Sequence, residues 1–135
     1  MRMSVNTKPF EKSLGEPASV CSIGAHILED GEGSWKGWLF ELVDDFRRRP
    51  ANALIEGPPP ASLPARLRCL LASTVEALCA ERGWPPPAWC AAVGALPGPW
   101  FVAETESLKA SALVEAPVFF RKRNLFVLGN FLSRV

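Results

Sequence analysis

Between Ser62 and Gly83, the stretch SLPARLRCLLASTVEALCAERG sets Leu63, Leu67, Leu70, Leu71, Thr74, Val75 and Leu78 at steps of three and four residues. At about 100° per residue these positions share one face, which predicts a helix over 62–82. Its ends carry matching signals: Ser62 as N-cap, Pro64 in the first turn and Gly83 as a left-handed closing residue. The other side, Ala65, Cys69, Ala72, Ser73, Glu76 and Ala80, is small and nearly uncharged, a face suited to close packing against another helix. A second apolar stripe, Trp35, Trp38, Leu39, Leu42, Val43 and Phe46, predicts a helix over 34–49 with Ser34 as N-cap and Pro50 as its stop. Asp44 with Arg48 and Asp45 with Arg49 stand in the acid-before-base, four-residue order that supports a helix.

The remaining pattern is shorter and punctuated by proline. Ala51 to Glu56 predicts one turn of helix closed by Gly57 and the stiff Pro58-Pro59-Pro60 connector. Trp84-Pro85-Pro86-Pro87 forms a second corner, followed by a short helix in AWCAAVG that Gly94 ends. Leu96 to Trp100 reads as a loop, with Trp100, Phe101 and Val102 as its anchors. Glu104 to Glu115 predicts a helix using Leu108, Ala112 and Leu113, broken at Ala116-Pro117. From Met1 to Gly33 no apolar period is sustained, and a flexible arm is expected; Ile23, Ile27 and Leu28 have helical spacing within it, opposed by Gly24. The expected architecture is all-α: a flexible arm over 1–33, then a single helical domain over 34–135 with two principal helices, shorter helices and Pro-rich corners.

Composition narrows the chemistry. Nearly half of the 135 residues are apolar and 21% are charged, below the usual quarter, so an ordered chain with apolar surface left for a partner is expected. A formal net charge of +1 gives no global field for nucleic acid or an acidic membrane. Cys21, Cys69, Cys79 and Cys90 form no C-x-x-C pair and have no histidine cluster near them, which argues against a metal site. Cys69 and Cys79 read as small buried residues. No signal-peptide pattern and no membrane-length apolar run is visible, and a reducing cytoplasm is the expected compartment. His26, the one histidine, lies in the predicted arm without a positioned partner, and no phosphate-loop, dinucleotide, nucleophile-elbow or zincin pattern occurs. Glu41, Asp44 and Asp45 read as a solvated helix face neutralised by Arg48 and Arg49 rather than as a cation site. A non-enzymatic chain without metal or cofactor is expected.

The last nineteen residues, PVFFRKRNLFVLGNFLSRV, hold four phenylalanines and four basic residues. Two readings of this tail remain open. In one, Phe119, Phe120 and Phe126, with Trp100 nearby, anchor an interface, and Arg121, Lys122 and Arg123 form its cationic rim. In the other, the aromatic residues pack on the core while the cations face water or pair with acids such as Glu115. Three charges neutralise few phosphates, so nucleic acid is a secondary partner. The helix over 62–82 also lacks the long polar side chains that a DNA-reading helix needs.

The run LVEAPVFFRKRNLFVLGNFLSRV, with PPPAW at 85–89 and PGPWF at 97–101, resembles the closing segment of a group of small bacterial helical proteins. Their tails read Glu, a small residue, Pro, two variable residues, Phe, a basic triplet, Asn or Gly, an aliphatic residue, Phe-Val and a final Leu-Ser-Arg plus a small residue. The present chain departs from that pattern at Leu128 to Phe131 and at Val135, where Ala is usual. Members are commonly encoded beside a nucleotidyltransferase-like protein of toxin–antitoxin or phage-defence type. The resemblance implies an antitoxin-like or regulatory protein that binds that neighbour. A DNA-binding transcriptional regulator and a structural subunit, including a homo-oligomer, are the alternatives.

Overall fold

Val20–Asp30 forms a helix, α1, inside the stretch for which a flexible arm was expected. Ser19 and Ser22 exchange side-chain to backbone hydrogen bonds as a capping box at its start. Val20, Ile23 and Ile27 are buried along one side. Each such burial is worth about 1.5–3 kcal/mol, which outweighs the cost of about 1 kcal/mol for Gly24 within a helix. Gly24 itself is required by packing, since a Cβ there would overlap Pro60 Cδ. The computed structural model describes residues 17–102 and 105–133, so the rest of the predicted arm, residues 1–16, lies outside the described residues.

A 3₁₀ turn, Glu32–Ser34, leads directly into α2, Trp35–Arg48. Ser34 is the N-cap residue but makes no side-chain cap, because its backbone is already helical (φ −83°, ψ −1°) and the cap geometry needs an extended residue. Its hydroxyl donates to the Gly31 carbonyl instead. The predicted stripe Trp38, Leu39, Leu42, Val43 and Phe46 is buried, and α2 packs on α1. Asp45, expected on a solvated face, is also buried: its carboxylate accepts the Ala18 N–H at 2.7 Å and the Arg48 guanidinium at 2.8 Å. The backbone entering α1 thus takes the acid that the sequence pattern had assigned to Arg49. The short helix α3, Asn52–Ile55, packs on α1 through the buried Leu54 and Ile55.

The chain divides into two compact units, Met1–Ala61 and Ser62–Val135. In the second, α4 runs from Ala65 to Arg82. It starts later than Ser62 because the helical conformation is disfavoured for the residue before a proline, and the cap position is Pro64 (φ −55°, ψ 146°). Gly83 closes it as predicted, at φ 71°; its N–H bonds the Ala80 carbonyl and that of Trp84 bonds Cys79, the paired closure of a Schellman motif. Both faces of α4 are buried, including the small one with Cys69, Ala72, Ser73 and Glu76. What covers that small face is α5, Ala88–Ala91, and α7, Val118–Arg121.

Between them lie a two-residue strand, β1, Trp100–Phe101, and the helix α6, Glu106–Glu115, whose N-cap Thr105 accepts from the Leu108 N–H. Residues 103 and 104 fall outside the described residues. β1 pairs in parallel with β2, Leu125–Phe126, in the register Trp100 to Leu125 and Phe101 to Phe126. Seven α-helices and this one small ladder, among the described residues, make the fold mostly helical. None of the described helices is long and apolar enough to cross a membrane.

Candidate functional site in the basic aromatic tail

The tail begins where α6 ends, and its first charged residue finishes that helix. Arg121 Nη2–H donates to the Val114 and Ala116 carbonyls, each at 3.0 Å, and Nε–H to Ala116 at 3.3 Å. A guanidinium there satisfies the carbonyls left open at a helix C-terminus and complements the negative end of its dipole. Glu115, the acid expected to pair with the triplet, accepts the Gly129 N–H at 2.9 Å instead.

Arg123 is the reverse of a rim residue: it is 2% exposed. Its guanidinium forms a two-pronged ion pair with Glu76, Nη1 to Oε1 at 2.7 Å and Nη2 to Oε2 at 3.1 Å. Ser73 Oγ and the carbonyls of Phe119, Cys90 and Val93 accept the other bonds. All its nitrogens are engaged, as a buried guanidinium requires. Glu76 lies on the small face of α4, and a single acid among Cys69, Ala72, Ser73 and Ala80 was the one available sign that this face would receive a cation.

Lys122 completes the group, its Nζ 2.9 Å from Glu76 Oε1 with about half of its side chain exposed. Burial alone pushes the Glu76 carboxyl up, but the hydrogen bonds and charges of Arg123 and Lys122 more than reverse this and hold it below its ordinary value. Glu76 is therefore a firmly ionised structural counter-charge. Cys90, close by, is pushed up to about 12 by burial first and by the Glu76 charge second. Cys69 and Cys79 are raised by burial as well, and Cys69 Sγ–H donates to the Gly94 carbonyl at 3.2 Å. The three buried thiols are neutral and poor nucleophiles.

The aromatic residues divide similarly. Phe120 is fully buried and meets Phe131 edge-on at 5.9 Å, so it is core and not an interface anchor. Phe119 and Phe126 are half-buried, and Phe126 stacks on Phe101 at 5.2 Å across the β ladder. Trp100 is half-buried too, with the Arg66 guanidinium 5.4 Å above its ring. The ladder brings Trp100 and Phe126 to one small sheet. Asn124 makes this possible: it adopts the left-handed conformation (φ 67°), its carbonyl accepts the Trp100 N–H, and its side chain donates to Leu96.

Of the seven predicted contact residues, then, Phe120 and Arg123 are corrected to core. Arg121 is an exposed helix cap, and Trp100, Phe119, Lys122 and Phe126 keep accessible surface. The end of α6, outside the predicted site, is also exposed and apolar. Leu108, Leu113 and Val114 are 40%, 49% and 79% exposed, and Val118 on α7 is 63% exposed. Among the described residues, no three His, Cys, Asp or Glu side chains gather as metal ligands. No protein-family model matches the chain, and no curated protein or solved structure is significantly similar to it.

Proposed function

We propose that this chain is a non-enzymatic protein-interaction module whose docking surface is the outer side of α6 and α7. The observation that carries the reading is the concentration of apolar exposure. Of the five large apolar residues exposed among the described ones, four, Leu108, Leu113, Val114 and Val118, lie on these two helices. α6 buries only Ala112, so its fold places aliphatic side chains in water without structural return. The tail motif that resembles the nucleotidyltransferase-associated group supports a protein of that type as partner, bound in an antitoxin-like or regulatory manner. The motif's charged residues act mostly inward, so they build the surface and do not themselves supply most of the contact.

Co-expression with the nucleotidyltransferase-type neighbour, followed by size-exclusion chromatography and mass spectrometry of the complex, tests this. A fixed-ratio complex is expected, and Val114→Asp combined with Val118→Asp should abolish it while leaving the helical circular dichroism unchanged. A wild-type chain that elutes alone under these conditions would remove the reading.

A further inference from the structure

We draw no further inference here: the strongest candidate, the exposed apolar surface that Leu108, Leu113 and Val114 of α6 and Val118 of α7 leave in water, carries nothing beyond the reading already given, because nothing in the structure shows what covers it.

Discussion

Arg123 and Lys122 are neighbours in sequence with opposite fates, and the difference is set by burial rather than charge. Removing one partner of a buried ion pair leaves the other uncompensated, so Arg123→Met or Glu76→Gln should each cost about 3–5 kcal/mol. The double variant Glu76→Leu with Arg123→Met should recover most of that loss, because two apolar side chains replace two desolvated charges. Lys122→Ala should cost less than about 1 kcal/mol, since its ammonium keeps much of its hydration. Urea unfolding of the four variants beside wild type gives these differences. The same carboxyl sets an acid dependence. Its folded value lies below its unfolded one, so its stabilisation is complete above the ordinary carboxyl range and fades as pH falls through the folded value. Stability measured from pH 7 downward should therefore fall more steeply for wild type than for Glu76→Gln. Parallel curves would show that Glu76 titrates alike in both states.

At the scale of elements, two glycines hold structure for different reasons. Gly24 faces the Pro58-Pro59-Pro60 connector at contact distance, and Cys21, three residues earlier on α1, donates its Sγ–H to the Pro58 carbonyl at 3.2 Å. Gly24→Ala should cost about 1–3 kcal/mol by overpacking, read as a lowered melting temperature. Gly83 has open space for a Cβ but sits at φ 71°, so Gly83→Ala should cost only about 1 kcal/mol of backbone strain. Equal losses at the two positions would mean that the connector yields to the added methyl. These contrasts also explain which elements were legible. The stripe of α2 and the closing glycine of α4 follow from period and local conformation. α1 did not follow, because its pattern is short and its glycine counts against a helix until Pro60 is known to need the space.

For the molecule as a whole, thiol accessibility is a sensitive report on the fold. Cys21 is exposed, while Cys69, Cys79 and Cys90 are buried with raised thiol values. A disulfide reagent at neutral pH should consume one thiol per native chain and all four cysteines after denaturation. Rapid reaction of more than one native thiol would contradict the packing of α4 against α5. The apolar surface of α6 and α7 belongs to this scale as well, since nothing in a single residue marks it. Leu108, Ala112 and Leu113 in the sequence suggest a helix turned toward a core, yet the structure buries Ala112 alone and leaves the larger side chains in water.

The sequence by itself determined the helical class, the extents of α2 and α4 to within a few residues, the left-handed stop at Gly83 and the burial of Cys69 and Cys79. These depend on local conformation and on a 3.6-residue period, both written along the chain. Only the tertiary structure decided that Glu76 meets Arg123, forty-seven residues away, that Asp45 takes the Ala18 N–H, and that Phe120 is core while Val118 is surface. Such pairings depend on which segments the connectors bring together. A basic triplet beside phenylalanines reads the same whether its charges point out to a partner or in to a lone acid on another helix.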